Sequence, residues 1–196
     1  MNTAALIRAR IQELPEGTPF TTSMFVELGS RAAIDQTLYR MAKAGEIQRV
    51  TRGVFVRPKE SRFVGKVPPA PQEVATVIAQ AGGGTAQING AEAARRFGLS
   101  TQVPAKPVYF TNGPSRKFHI GNLEVMLRHV APRKLVLGAR PAGEALSALW
   151  YLGKQHTTPE VIAQIRSKLP PEEYEVLKGA KASMPEWMAD ALRRSE

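Results

Sequence analysis

The sequence predicts an α+β fold: a basic N-terminal part made of helices and a hairpin, then a mixed domain with a small antiparallel sheet and C-terminal helices. Two observations support this. Apolar residues recur at helical spacing near the N-terminus and again beyond residue 141, and short strand-like runs bounded by turn residues lie between. Three prolines in the segment KVPPAP mark a break in the chain. We therefore predict a domain over 1–66, a linker over 67–71 and a second domain over 72–196.

Three helices are predicted first. The first covers residues 3–14 and has one apolar face. The second is short and ends at Gly29, and Ser30 caps the third. The third helix covers residues 31–44 and carries its buried stripe at positions i, i+4 and i+7, which are Ile34, Leu38 and Met41.

A short hairpin is predicted after these helices. Residues 46–50 and 54–57 form its strands, and Gly53 supplies the positive φ that a tight turn requires. Three helices followed by a two-stranded hairpin are typical of a winged helix-turn-helix, in which the third helix enters the major groove of DNA. A winged helix can also serve as a protein-interaction module, in which case the arginines would form an ordinary solvated surface.

Polar side chains on the predicted third helix point away from its buried stripe. Arg31 can pair with guanine and Gln36 with adenine through two hydrogen bonds each, whereas Arg40 suits a phosphate. Asp35 suits an intrahelical partner of Arg31 or Tyr39 rather than a base reader. The arginines of the hairpin suit contacts with the DNA backbone or the minor groove. The predicted DNA contacts from these residues are Arg31, Gln36, Arg40, Arg49, Arg52 and Arg57.

The charge distribution supports a polyanion-binding surface in the first two thirds of the chain. The sequence has 27 Lys and Arg against 17 Asp and Glu, a formal net charge of +10. Residues 1–140 contain 20 basic and 9 acidic residues, whereas residues 141–196 contain 7 and 8. Since a basic excess of this kind favours nucleic acid first, we expect double-stranded DNA as the partner.

The segment over residues 21–58, TTSMFVELGSRAAIDQTLYRMAKAGEIQRVTRGVFVRP, resembles the N-terminal winged helix of the AbiEi family, most clearly in LYRMAKAGEIQRVTRGVFVRP. These proteins are antitoxins of type IV toxin-antitoxin systems, some of which act in abortive infection by phage. The resemblance implies a repressor of its own operon that binds inverted repeats. A homodimer on the DNA is one possible arrangement, and the sequence leaves the oligomeric state open. It also implies a nucleotidyltransferase-like toxin that the protein counteracts without a stable complex. It places these residues on the DNA-contacting elements: Ser30, Arg31, Gln36, Arg40, Arg49 and Arg52.

Two alternative functions stay open. In the first, the protein would be an ordinary winged-helix regulator whose C-terminal part senses a ligand or dimerises. In the second, it would be an interaction module that neutralises a toxin by direct contact. The C-terminal domain is predicted to hold a small sheet over about 85–130 and a helical tail over 141–196. Its apolar stripes suit a core, with Trp187, Met188 and Leu192 as the most exposed apolar group. Four of its basic residues could extend the DNA contact or merely face water: Arg95, Arg116, Lys117 and Arg128.

Several classes of function are not expected. The chain has no cysteine, and its three histidines lack metal-ligand spacing, so we predict no metal site. The glycines at 82–84 lack the Lys and Ser or Thr of a phosphate-binding loop, so no cofactor is expected. Scattered carboxylates give no catalytic residues, and we predict no enzymatic activity. No apolar run reaches the roughly 18 residues of a membrane span, and no secretory signal is visible, so we expect a cytoplasmic protein without a membrane partner.

Overall fold

The N-terminal helices form where the sequence supplies caps. The side chain of Asn2 accepts a hydrogen bond of 2.8 Å from the amide of Ala4, which satisfies one of the free donors at a helix start. The computed structural model describes residues 2–63 and 65–194. Its first elements are helix α1 (Thr3–Gln12), strand β1 (Pro19–Thr21), a 3₁₀-helix (Thr22–Leu28) and helix α2 (Arg31–Lys43). The predicted second helix is therefore a 3₁₀-helix.

A three-stranded sheet completes the N-terminal group of elements. The hairpin consists of strands β2 (Gln48–Thr51) and β3 (Val54–Val56), and β1 pairs with β3, so that the antiparallel order is β1-β3-β2. The ring of Phe20 on β1 stacks on Phe55 at 6.1 Å between centroids and meets Phe25 edge-on at 5.8 Å. The buried apolar core comprises Ile7, Ile11, Phe20, Phe25, Ile34, Leu38, Met41 and Ile47.

Helix α3 (Pro71–Ala81) packs against β1 and β3. It follows a second small hairpin of β4 (Lys59–Ser61) and β5 (Gly65–Val67). The chain forms two compact units, one of residues 1–83 with 117–125 and one of residues 84–116 with 126–196. This division differs from the predicted one at residues 67–71, because α3 buries Val74 and Ile78 within the first unit.

The middle of the chain forms a four-stranded sheet. Its elements are β6 (Ala86–Ile88), helix α4 (Gly90–Arg96), β7 (Val108–Thr111), β8 (Arg116–Ile120) and β9 (Leu123–His129). The strand order is β6-β7-β9-β8, with β6 antiparallel and β9 parallel to β7. The prediction of an antiparallel sheet is thus wrong for one pair. The turn at Gly121 reverses the chain and β9, rather than β8, lies beside β7, so the two neighbours run the same way.

The C-terminal part is helical, as predicted. Its helices are α5 (Pro141–His156), α6 (Pro159–Lys168), α7 (Pro171–Gly179) and α8 (Glu186–Arg193), with 3₁₀-turns at Pro132–Lys134 and Ala180–Ser183. Three helices begin with proline, whose missing amide donor costs nothing in the first turn. The predicted exposed group on the last helix is wrong for Met188 and Leu192, since both side chains are 0% exposed.

Helices α4 and α5 pack closely because a glycine stands at their crossing. A Cβ atom on Gly90 would lie 2.5 Å from the carbonyl oxygen of Ser147 and 2.5 Å from Cβ of Tyr151. Beneath this crossing the buried amide of Gln87 donates to Ser147 Oγ at 2.8 Å and to the carbonyl oxygen of Gly143. Strand β6 is thereby fixed to α5 through buried polar contacts.

Candidate nucleic-acid interface

Helix α2 has one buried face and one polar, exposed face. The hydroxyl of Ser30 caps its first turn by accepting a hydrogen bond of 3.3 Å from the amide of Ala33. Ile34, Leu38 and Met41 are buried, as the 3.6-residue period predicts. The opposite face carries a stripe at i, i+3, i+4 and i+7 that consists of Gln36, Tyr39, Arg40 and Lys43, all exposed.

The first turn of α2 carries an ion pair beside this stripe. Arg31 Nε donates to Asp35 Oδ2 at 2.9 Å, the i,i+4 pairing that the spacing indicates. Both side chains are accessible, with 73% of the Arg31 side chain exposed. Asp35 binds the Nε edge of the guanidinium, and the exposure of the side chain leaves it accessible to a bidentate acceptor.

The β2–β3 hairpin presents arginines at and near its turn. Gly53 has φ of +78°, a conformation that L side chains rarely adopt, and it leaves Arg52 exposed at the tip. The pairing register shifts between Arg49 and Thr51, so Val50 forms a bulge. Arg49 Nε donates to the carbonyl oxygen of Thr51 at 3.3 Å, which holds this exposed side chain along the hairpin.

Arg57 has a different environment from the other predicted contacts. Its Nη1 atom donates to the carbonyl oxygens of Gln12 and Leu14 at 2.9 and 2.6 Å, and Nη2 lies 3.8 Å from Glu16 Oε1. The guanidinium therefore binds carbonyl groups at and just beyond the C-terminal end of α1. We conclude that Arg57 supports the fold, and we remove it from the set of predicted DNA contacts.

The additional basic residues do not form one group. Arg95 pairs with Glu92 through two hydrogen bonds of 2.8 Å, and these bonds hold the pKa of the Glu92 carboxyl below its ordinary value. Arg116 and Lys117 are exposed on β8, and Arg128 is exposed on β9. Because Arg95 is already neutralised by an acid, it is the least suited of the four to bind a phosphate.

Two side chains on the polar face of α2 were not among the predicted contacts. Tyr39 is 66% exposed, although large aromatic side chains are usually well buried. Lys43 lies one turn further along the same stripe and is exposed too. The helical period alone could have predicted that both side chains lie on the polar face, because they stand three and seven positions after Gln36.

Two titratable groups of the second unit have shifted pKa values. Burial raises the pKa of the Tyr109 hydroxyl and the pKa of the Glu144 carboxyl, and Arg96 opposes both shifts. Glu144 accepts a hydrogen bond of 3.0 Å from Arg96, which also pairs with Glu92. Within 2–63 and 65–194, His, Asp and Glu side chains form no group of three that could hold a metal ion.

Comparison with known proteins gives one match. A family model described as a family of unknown function, DUF6088, matches residues 6–177. The chain belongs to the DUF6088 family. The match begins in α1 and ends in α7, so it includes the polar face of α2, the hairpin and the mixed sheet. No curated protein and no solved structure matches the sequence. In the part of this DUF6088 chain that the structure describes, every helix is too short or too polar to cross a bilayer.

Proposed function

We propose that this DUF6088 protein binds double-stranded DNA through a winged helix-turn-helix made of α1, β1, the 3₁₀-helix, α2 and the β2–β3 hairpin. The observation that carries the proposal is the exposed face of α2, whose polar and basic side chains lie opposite the buried stripe of Ile34, Leu38 and Met41. The element order helix, strand, helix, helix, hairpin supports it, because this order gives a recognition helix followed by a wing.

The polar face of α2 suits base readout in the major groove. Arg31 stands in the first turn, where a recognition helix meets base edges, and its free amino groups match the two acceptors of guanine. The Gln36 amide offers one donor and one acceptor, which match adenine. Arg40 and Lys43 lie further along the helix, where they would neutralise phosphates.

The hairpin suits the adjacent backbone or minor groove. Arg52 at the tip and Arg49 on β2 provide two exposed positive charges on the hairpin. Such contacts contribute affinity and set the register of the protein on DNA, but they carry little sequence information. Arg57 takes no part in the proposed interface because its Nη1 group donates to two backbone carbonyls within the fold and Nη2 lies beside Glu16.

We further propose that the protein acts in the cytoplasm as the antitoxin of a type IV toxin-antitoxin system. The support is the resemblance of residues 21–58 to the AbiEi winged helix. On this proposal the protein represses its own operon through inverted repeats. It counteracts a nucleotidyltransferase-like toxin without a stable complex and without chemistry of its own.

The DNA proposal is tested with the full chain and DNA from upstream of its own gene. Binding is measured by fluorescence anisotropy across a salt series, with a scrambled duplex of equal length as the control. Affinity for the upstream DNA should exceed that for the scrambled duplex and should fall linearly with the logarithm of salt concentration, because neutralised phosphates release counterions. Binding that is absent or independent of salt would refute the proposal.

The antitoxin proposal needs a separate test. The nucleotidyltransferase-like toxin that the proposal expects to be encoded beside this gene is expressed in a bacterial host with and without the protein, and growth is recorded. Rescue of growth without a complex in pull-down supports the proposal. A stable complex would favour direct neutralisation, and DNA binding without rescue would favour an ordinary transcriptional regulator.

A further inference from the structure

A cavity of about 400 Å³ lies in the second unit, among α4, β7, β9 and α5. This volume is within the range of roughly 300–1,000 Å³ that is usual for small-molecule sites. Aromatic rings contribute much of its wall, namely Phe110 from β7 and Trp150 and Tyr151 from α5. These rings come from two elements, so the cavity wall depends on how the fold places β7 and α5.

The cavity is positively charged. Arg128 from β9 and Lys134 from the following 3₁₀-turn both line it, and no acidic side chain is among its described lining residues. Arg128 is exposed and makes no ion pair with a carboxylate in the described part of the chain. Lys134 Nζ lies 4.9 Å from the ring centroid of Trp150, and the guanidinium of Arg133 lies 5.4 Å from it. Lys134 and Arg133 therefore lie close to the Trp150 ring, and Arg128 lines the same cavity.

Two polar side chains of the wall are hydrogen-bonded within the fold, and the ring of Trp150 carries a buried donor. The side-chain oxygen of Asn89 accepts hydrogen bonds from the amides of Ala91 and Glu92, and Ser147 Oγ accepts from Gln87. The indole Nε1 of Trp150 is buried, and within the described residues it has no hydrogen-bond acceptor. A buried donor without a partner is costly, which is why most such donors in proteins are paired.

We propose that this cavity binds a small organic anion that carries a flat aromatic ring. The ring would pack against Phe110 and Tyr151, and the anionic group would bind Arg128 and Lys134. Both parts are needed, because apolar rings alone would favour a neutral ligand and cations alone would favour inorganic phosphate. The proposal concerns the second unit and holds whether or not α2 binds DNA.

The two tryptophans of the chain allow a direct binding test. Trp187→Phe leaves Trp150 as the only tryptophan, so quenching of its fluorescence reports on the cavity wall. The probes are adenosine monophosphate and benzoate, each paired with a neutral counterpart, adenosine and benzyl alcohol. Calorimetric titration of the unmodified chain with the same four compounds gives a second measurement that does not depend on the variant.

The proposal predicts saturable binding of one anion per chain, with an affinity about tenfold or more above that of its neutral counterpart. Stronger binding of adenosine monophosphate would identify a nucleotide-like ligand, and stronger binding of benzoate an aromatic carboxylate. Equal affinity for anion and neutral compound, or no binding by either anion, overturns the proposal.

Matched charge variants place the bound anion. Lys134→Gln and Arg128→Gln should each weaken binding of the preferred anion by about tenfold. Lys154→Gln removes the same charge from an exposed position on α5 that does not line the cavity, and it should leave the affinity unchanged. If Lys154→Gln weakens binding as much as Lys134→Gln, the anion binds the basic surface in general and the proposal fails.

Discussion

The guanidinium of Arg57 donates a hydrogen bond of 2.6 Å to the carbonyl oxygen of Leu14, 43 residues earlier in the chain. A second bond of 2.9 Å reaches the carbonyl oxygen of Gln12. Arg57→Ala would leave both carbonyls to solvent, and we expect the free energy of unfolding to fall by about 1–2 kcal/mol, since the side chain is partly exposed. Urea unfolding followed by circular dichroism measures the change.

The control for Arg57→Ala is Arg52→Ala, which removes an exposed arginine at the hairpin tip. Its free energy of unfolding should stay within about 0.5 kcal/mol of the unmodified protein. If the Arg57→Ala protein keeps normal stability but binds DNA weakly, Arg57 is a DNA contact and our assignment is contradicted.

Local signals predicted much of the first unit. Ser30 and the period of Ile34 and Leu38 are enough to place α2, because a cap and an amphipathic stripe act within a few turns of chain. Gly53 likewise predicts the hairpin turn, since its positive φ is a local requirement. The polar face of α2 follows from the same period.

Features that depend on distant residues were not predictable in this way. The role of Arg57 requires α1 to lie beside the end of β3, and no local pattern encodes that proximity. The parallel pairing of β7 with β9 depends on which strand of a hairpin lies inside, a choice made by the packing of the whole sheet. The cavity wall joins Phe110 with Trp150, and only the fold brings them to the same surface.

Base readers and backbone contacts on the proposed interface should give different signatures. Arg31→Ala and Gln36→Ala should each reduce the preference for upstream DNA over random DNA by about 1–3 kcal/mol, because a lost base contact affects one sequence only. Arg52→Ala should weaken binding to both duplexes and lower the salt slope by about 1, because it removes a phosphate contact. Anisotropy titrations with both duplexes measure these effects. Equal losses on both duplexes for all three variants would show that Arg31 and Gln36 do not read bases.

The close crossing of α4 and α5 predicts a position where a single methyl group is harmful. In Gly90→Ala the new Cβ would lie 2.5 Å from the Ser147 carbonyl oxygen, so the helices must separate, at a cost of about 1–3 kcal/mol. Gly179→Ala is the control. Its φ is −62° and nothing lies within 4 Å of the new methyl, so stability should rise by up to about 1 kcal/mol. Thermal unfolding of both variants tests the prediction, and a Gly90→Ala chain as stable as the unmodified protein would contradict the packing.

Glu173 links α7 to the start of α5 in a pH-dependent way. Hydrogen bonds from Arg140, of 2.6 to 3.1 Å, and from the Ala142 amide, of 2.9 Å, hold the pKa of the Glu173 carboxyl below its ordinary value. The Glu173 carboxyl therefore binds a proton more readily in the unfolded chain than in the folded chain. Its contribution to stability is present above the unfolded-state pKa and is lost as pH falls through the lower, folded-state pKa. Glu173→Gln should therefore be less stable at neutral pH and lose less stability on acidification. Urea unfolding at acidic and neutral pH measures this effect, and Glu172→Gln is the control for the loss of a negative charge. If the free energy of unfolding varies with pH in the same way for Glu173→Gln and for the unmodified protein, the link is disproved.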